Sequence, residues 1–222
     1  ILYKMCSTSN EDEKTRWNLT DASSFYYLNQ GGLPESKADA ISLEDVQNAL
    51  REMGFEEEEI ESMFNFIAGI IHLGELQFED SEDRNAFLTS EHQSHADDVA
   101  NLLSVKRSSL IDVLITSFIT IGTGEVFEQK NTADESYVAR DSLARTLYAR
   151  LFEYIRKRLN YLLFLDKDIT SALIAILDIF GFETFATNYF EQLCINYANE
   201  VLQSLFNLFV FKQLQEEYEE EG

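Results

Sequence analysis

Two carboxylates and a glycine follow one apolar run in the last third of the chain. The apolar residues 172–177 lead directly into Asp178. Gly181 follows three positions later, and Glu183 comes two positions after that. An aspartate at the end of a buried strand can hold Mg²⁺ directly or through water, and a glycine amide can approach a phosphate oxygen because no Cβ blocks the way. The D-x-x-G spacing therefore suits a γ-phosphate sensor, although Asp178 as a simple strand ending explains the same short pattern.

The elements that must position these residues are a buried strand and a long helix. Residues 172–177 do not alternate between apolar and polar, which predicts a strand buried on both faces of a parallel sheet. Ligands bind beyond the carboxyl ends of such strands. Asn188 and Glu191 resemble a capping box, and no Gly or Pro follows before Gly222, so the pattern predicts a helix of roughly 50 Å. Its apolar positions predict a buried stripe: Phe190, Leu193, Tyr197, Val201, Leu205 and Phe209.

Upstream of the strand the sequence predicts mainly helices. Apolar residues at helical spacing and cap residues indicate helices from Ser42 to Gly54, from there to Gly74, at about 96–104, at about 107–115 and at about 132–162. The last one has Val138, Leu143, Leu147, Leu151, Ile155 and Leu159 as its inward positions. Two β-like runs around Gly122-Thr123-Gly124 predict a hairpin at about 117–129, whereas residues 81–95 are expected to form a polar loop. The predicted fold class is mixed α/β and predominantly helical.

Composition excludes several classes of protein. Forty acidic residues against 17 basic ones give a formal charge of −23, which argues against a nucleic-acid-binding surface. The two cysteines lie in unrelated contexts, so no disulfide is expected and a reducing compartment is favoured. No apolar run approaches the ~20 residues of a transmembrane helix. The first residue is Ile1 and the helical pattern continues to the end, so we expect an internal piece of a longer chain.

Other candidate sites are weaker. His92 and His95 have no cysteine or further histidine nearby in sequence, so a zinc site is not expected. His72 lies on an apolar helix and is expected to be a hydrogen-bonded core histidine. The phosphate-binding motif G-x-x-x-x-G-K-[ST] is absent from the chain.

Residues 177–207 closely resemble the switch II segment and relay helix of the myosin motor domain. The residues concerned are LDIFGFETFATNYFEQLCINYANEVLQSLFN. Three upstream segments resemble the upper central region of that domain and the long helix after it, in family order: FYYLNQGG, IAGIIHLGELQFE and VARDSLARTLYARLFEYIRKRLN. The resemblance implies a fragment of a P-loop NTPase-type motor domain with one central-sheet strand at 172–178. Its parts would be the upper central region at 1–165, the switch II strand and loop at 172–187 and the relay helix at 188–221.

The resemblance also implies roles for individual residues. Asp178 would hold Mg²⁺ through water, the Gly181 amide would contact the γ-phosphate, and Glu183 would pair with a switch I arginine. Asn188, Phe190 and Glu191 would begin the relay helix. Glu125, in the hairpin, falls where the family favours an acidic or phosphorylatable residue that faces actin; an ordinary exposed turn acid is the alternative.

For the complete protein the resemblance implies a cytoplasmic, cytoskeleton-associated motor that couples ATP hydrolysis to movement on actin. ATP and Mg²⁺ would be its cofactors and the actin filament its partner. The phosphate-binding loop and switch I would precede Ile1, and the lever arm with its light-chain sites would follow Gly222. We therefore expect this chain alone neither to bind ATP tightly nor to hydrolyse it. The alternative is a truncated, non-enzymatic helical interaction module derived from a motor domain.

Overall fold

The computed structural model describes residues 1–30, 41–120, 122, 124–163, 176 and 178–221. The chain divides into two compact units, Ile1–Leu165 and Asp166–Gly222. In chain order the helices of the described residues are α1 (Leu2–Cys6), α2 (Glu11–Trp17), α3 (Tyr26–Asn29), α4 (Leu43–Glu52), α5 (Glu57–Leu73), α6 (Gln93–Leu102), α7 (Arg107–Ile115), α8 (Ala133–Leu162) and α9 (Phe190–Glu221). Short 3₁₀ turns occupy Ala22–Ser24 and Ser90–His92.

Two antiparallel hairpins accompany the helices of the first unit. β1 (Phe78–Asp80) pairs with β2 (Ala86–Leu88), and β3 (Thr116–Thr120) pairs with β4 (Val126–Lys130). The hairpin predicted around Gly122-Thr123-Gly124 is therefore present. β2 lies in the segment that was predicted to be a polar loop, and that prediction was wrong. With only three residues, this strand is too short for its alternating burial to be read from the sequence.

Helix α5 lies at the centre of the first unit. Six apolar residues that recur at helical spacing along it are all buried: Ile60, Met63, Phe64, Ile67, Ile70 and Ile71. Most of them join one apolar cluster with the residues of α1 and α2, while Ile70 joins a second cluster with β1, β2, α6 and α7. A capping box between Glu56 and Glu59 starts the helix. The apolar spacing of the sequence therefore predicted this element and its buried side correctly.

Helix α8 packs along both clusters, and its inward face matches the prediction except at Val138. Four of the predicted residues are half-buried against the clusters: Leu143, Leu147, Ile155 and Leu159. The capping box of Thr132 and Glu135 is present, and Leu151 is buried as expected. Val138, in contrast, is 65% exposed, whereas Ser136 and Arg140 on either side of it are buried. Two residues of an α-helix turn through about 200°, so Val138 points away from the face that its neighbours bury.

The buried guanidinium of Arg140 joins α8 to the connection that follows α5. Its Nη1 atom donates to the carbonyl oxygens of Gly74 at 2.9 Å and Leu76 at 3.0 Å, and its Nε atom donates to Asp141 at 2.8 Å. Three tyrosine rings have centroids 5.0, 5.5 and 5.0 Å from its central carbon: Tyr26, Tyr27 and Tyr137. Arg140 is only 3% exposed, so its charge depends on these protein partners.

A second link between α5 and α8 is the ion pair of Glu59 and Arg158. The Glu59 carboxylate accepts hydrogen bonds from Arg158 Nε at 2.8 Å and Nη2 at 3.0 Å. It also accepts from the Glu56 amide and from the Tyr154 hydroxyl. These hydrogen bonds, with that of Arg158 the largest contribution, lower the pKa of Glu59 from its ordinary value of 4.5 to about 2.

We expect this carboxylate to make folding stability depend on acidic pH. Its pKa is lower in the folded chain, so its contribution is complete above about pH 4.5 and is lost as the pH falls towards 2. Urea denaturation measures the free energy of unfolding of the wild type and of the Glu59→Gln variant. The difference between these two free energies should shrink as the pH falls through that window. Glu58→Gln, a neighbouring change with the same loss of charge, is the control and should show no such convergence. The prediction is contradicted if the difference in the free energy of unfolding between the wild type and Glu59→Gln does not change with pH.

The second unit consists, in its described part, of a loop at 178–189 and helix α9. The predicted buried stripe was wrong, since the side chains of Phe190, Leu193, Tyr197, Val201, Leu205 and Phe209 are exposed. Among the described residues of this unit, α9 has no second layer against which to bury them. The predicted strand at 172–178 lies outside the described residues except for Ile176 and Asp178. None of the helices in the described part of the chain combines the length and the apolar character of a membrane span.

Candidate functional site

The loop before α9 carries the site residues that the sequence predicted. Asp178 and Gly181 are exposed, and Glu183 is half-buried. The strand that should precede Asp178 lies mainly outside the described residues, so the geometry of the site rests on the loop and on the first turns of α9. Both belong to the same unit.

The side chain of Asn196 in α9 makes two hydrogen bonds to the backbone of Glu183. The Glu183 amide donates to Asn196 Oδ1 at 2.7 Å, and Asn196 Nδ2 donates to the Glu183 carbonyl oxygen at 2.8 Å. One side-chain amide therefore satisfies both backbone polar groups of this residue, as a neighbouring strand would do. The position of Glu183 is fixed to the second turn of the helix.

Asn199 makes the corresponding contact to Gly181. Its Nδ2 atom donates to the Gly181 carbonyl oxygen at 3.0 Å. Asn196 and Asn199 are three residues apart, so they lie on the same face of α9. This pair, Asn196 and Asn199, is called the asparagine link below. It connects the glycine and the second carboxylate of the predicted sensor directly to the helix.

Asn188 has a different role from the predicted one. Its Oδ1 atom accepts from the Phe185 amide at 3.1 Å, and its Nδ2 atom donates to the Phe185 carbonyl oxygen at 2.8 Å. The helix begins at Phe190 instead, and the Tyr189 amide donates to Gln192 Oε1 at 2.7 Å. The predicted capping box of Asn188 and Glu191 was therefore wrong, because the Asn188 side chain is already engaged with the loop.

The space around Gly181 is open. Apart from Gly181 and its two chain neighbours, no described residue has a heavy atom within 4 Å of the place where an alanine Cβ would sit. The carbonyl of Gly181 is held by Asn199, which leaves its Cα side accessible to a ligand. An exposed carboxylate at Asp178 provides the hard oxygen ligands that Mg²⁺ prefers. The loop can therefore present an anion-contacting amide and a cation-binding carboxylate three residues apart.

The other predicted site residues are also exposed. Phe190 is 74% exposed, and Glu191 is exposed at the first turn of α9. Glu125 is exposed in the turn between β3 and β4, in the first unit. The sequence interpretation missed the asparagine link. Its signal was present as two asparagines three positions apart inside a helix, where this residue type is unfavourable unless its side chain is needed.

Comparison with known proteins identifies relatives along the entire chain. The model of the family described as myosin head (motor domain) matches residues 1–222. Unconventional myosin heavy chain 6 of Caenorhabditis elegans is 35% identical over 224 residues, which cover 100% of this chain and 11% of the relative. Unconventional myosin ID of Drosophila melanogaster is 35% identical, with 99% of this chain and 22% of the relative covered. Human unconventional myosin-XV is 40% identical over 223 residues, with 98% of this chain and 6% of the relative covered. The chain thus spans less than a quarter of the length of each of these relatives.

Proposed function

Because the chain belongs to the myosin head (motor domain) family, we propose that it is the part of an actin-based motor that senses the γ-phosphate and passes the signal to the relay helix. The observation that carries this proposal is the asparagine link. It connects Gly181 and Glu183 to α9 by three hydrogen bonds of 2.7–3.0 Å.

The residues of the loop fit the ligands of such a motor. Bound ATP and Mg²⁺ supply the phosphoryl group and the neutralisation of its charge. Asp178 offers an exposed carboxylate towards the metal ion, and the Gly181 amide can donate to a phosphate oxygen without a Cβ in the way. Glu183 is the proposed partner of a switch I arginine and orients the attacking water. In this proposal catalysis is mainly positioning and electrostatic stabilisation.

Movement follows from the rigidity of α9. The helix has 32 residues, so it is about 48 Å long. A tilt of about 5° at its first turns displaces the far end by about 4 Å at this length. Since the asparagine link attaches those first turns to the phosphate sensor, a small shift of Gly181 becomes a larger displacement at the other end.

The hairpin β3–β4 is the proposed contact with the actin filament. Its exposed apolar side chains are available to a partner: Phe118, Ile119, Val126 and Phe127. Glu125 stands in the turn between the strands and is exposed. The chemistry of this turn, an acid beside apolar strand residues, supports contact with a protein that offers basic side chains.

The second candidate function is a non-enzymatic helical interaction module. The exposed apolar positions of α9 favour it, because an apolar helix stripe is a common binding element for partner helices. Such a module needs the shape of α9 but has no use for the hydrogen bonds to Gly181 and Glu183. The asparagine link therefore distinguishes the two functions.

Asn196→Asp in the complete motor tests the coupling. A carboxylate still accepts from the Glu183 amide but no longer donates to its carbonyl, so one hydrogen bond is replaced by a repulsive contact. At about 1 kcal/mol for one hydrogen bond, we expect filament gliding to slow by roughly fivefold, with a smaller effect on basal ATP turnover. Gliding velocity and basal turnover should be measured on the same preparation.

The matched control is Asn207→Asp. Asn207 lies farther along α9, where it accepts from Gln203 at 3.0 Å and does not contact the loop. It should leave gliding velocity within about twofold of the wild type. Equal velocities for the two variants would contradict the proposal that the asparagine link transmits the signal.

A further inference from the structure

Three ionisable side chains of α5 and α6 converge in the first unit, far in sequence from the loop of the proposed sensor. His72 lies near the end of α5, and His95 and Asp98 lie one turn apart on α6. One ligand atom from each lies within 4.8 Å of the other two. His72 is completely buried, and the side chain of Asp98 is 24% exposed. The histidine that was missing near His95 in the sequence is therefore supplied by another helix.

A backbone carbonyl group determines which ring nitrogen of a neutral His72 carries the hydrogen. Its Nε2 atom lies 2.8 Å from the carbonyl oxygen of Trp17. A carbonyl only accepts, so Nε2 must carry the proton, and in a neutral ring Nδ1 then presents a lone pair. That lone pair faces His95, whose Nδ1 atom is 3.1 Å away. Metal-ligating histidines are oriented in the same way, by donation from the other ring nitrogen to a carbonyl or carboxylate.

The distances suit coordination of one ion. Two imidazole nitrogens at ordinary Zn–N distances are about 3.3 Å apart in a tetrahedral site and about 2.9 Å apart at a right angle. The observed separation of 3.1 Å lies between these values. Asp98 Oδ2 is 3.9 Å from His72 Nδ1, so a shift of about half an ångström brings these two atoms to the separation of a tetrahedral site. The three ligand atoms all lie within 4.8 Å of one another.

The carboxylate is itself oriented by a neighbour. Asn18 Nδ2 donates to Asp98 Oδ2 at 2.9 Å. Asn18 adopts a left-handed conformation with φ of 48°, directly after Trp17, which binds His72. Trp17 and Asn18 together therefore support two of the three ligands from the end of α2. Such supporting contacts are typical of metal sites.

We propose that His72, His95 and Asp98 form a binding site for a divalent transition-metal ion such as zinc. Two imidazoles and one carboxylate suit this class of ion better than Ca²⁺ or Mg²⁺, which prefer oxygen ligands. Three protein ligands leave a fourth position for water. The site clamps α6 onto α5 at the end of α2, and it does not depend on the function proposed for α9.

Calorimetric titration of the 222-residue chain with Zn²⁺ tests the proposal. The chain is first freed of metal with a chelator, and excess Mg²⁺ is present to occupy the exposed acidic runs. We expect one ion per chain with a micromolar or tighter Kd. At 100 times that Kd, the linkage between binding and folding should raise Tm by roughly 5–10 °C. Co²⁺ in place of Zn²⁺ should give a visible absorption spectrum without the strong band of a thiolate ligand.

Two variants and one control identify the ligands. Asp98→Asn keeps the size of the side chain and its hydrogen bond from Asn18, and it should weaken Zn²⁺ binding at least tenfold. His95→Asn should weaken it at least 100-fold. Asp97→Asn removes the same charge from the adjacent, more exposed carboxylate, which pairs with Arg107, and should leave Kd within twofold of the wild type. Circular dichroism of each metal-free variant checks that the fold is retained.

The proposal is overturned if the wild type shows no saturable Zn²⁺ binding. It is equally overturned if the folded Asp98→Asn and Asp97→Asn variants bind with the same Kd. In either case His95 simply donates a hydrogen bond to His72, and the pair is an ordinary polar contact of the core.

Discussion

Replacement of Gly181 with alanine is expected to reduce the actin-activated ATP turnover of the complete motor by about 100- to 1000-fold. This is the usual loss when a developing negative charge loses one hydrogen-bond donor, here because a methyl group displaces the phosphate from an amide that the variant retains. The new methyl group would stand beside the amide that is proposed to contact the γ-phosphate. Turnover should be measured at saturating actin, and the Tm of the 222-residue chain carrying the same change should be measured in parallel.

The parallel measurement separates a ligand effect from a folding effect. An added Cβ at Gly181 would meet no heavy atom within 4 Å from the described residues beyond its chain neighbours, so the Tm should be unchanged. Thr187 is exposed in the same loop and has no proposed contact with a ligand or with actin, which makes Thr187→Ala the control. The control should keep turnover within about twofold of the wild type. Full turnover in the Gly181→Ala variant would refute the sensor assignment and leave the interaction module as the better explanation.

Replacement of Arg140 with methionine is expected to lower the free energy of unfolding by about 2–6 kcal/mol, because two buried carbonyl oxygens lose their donor at roughly 1–3 kcal/mol each. Methionine occupies a similar volume but makes no hydrogen bond. The carbonyl oxygens of Gly74 and Leu76 would remain buried without their donor, and Asp141 would lose its cationic partner. Urea denaturation of the 222-residue chain measures the change.

Arg150→Met is the matched control for this change. Arg150 lies on the same helix but is exposed, so its loss should change the free energy of unfolding by no more than about 0.5 kcal/mol. Arg140→Lys keeps the charge without the planar guanidinium group. Its effect on the free energy of unfolding should lie between those of Arg140→Met and Arg150→Met. A cost for Arg140→Met no greater than that for Arg150→Met would show that the guanidinium does not hold α8 to the end of α5.

Local patterns were sufficient to predict most of the helices. The capping boxes of Ser42 with Asp45 and of Thr132 with Glu135 join residues three positions apart, so the sequence alone contains both partners. The buried side of α5 was also predictable, because its apolar residues repeat at the helical period over 17 residues. The family was identifiable for a related reason, because the resemblance rests on the continuous segment 177–207 and requires no knowledge of contacts between distant residues. Sequence by itself therefore determined the helical class, the relationship to myosin motor domains and the candidate residues of the loop.

Only the tertiary structure decided which distant residues meet. Nothing in the sequence brings His72 to His95, Arg140 to the carbonyl of Gly74, or Glu59 to Arg158, because each contact depends on how two separate elements pack. The same reason explains the wrong predictions. Val138 has the right residue type for a core, but it lies on the side of α8 opposite the buried Ser136 and Arg140. The side chain of Asn188 is hydrogen-bonded to the backbone of Phe185 and does not cap the helix. The asparagine link was unpredicted because hydrogen bonds from a helix back to its preceding loop depend on the path of that loop in space.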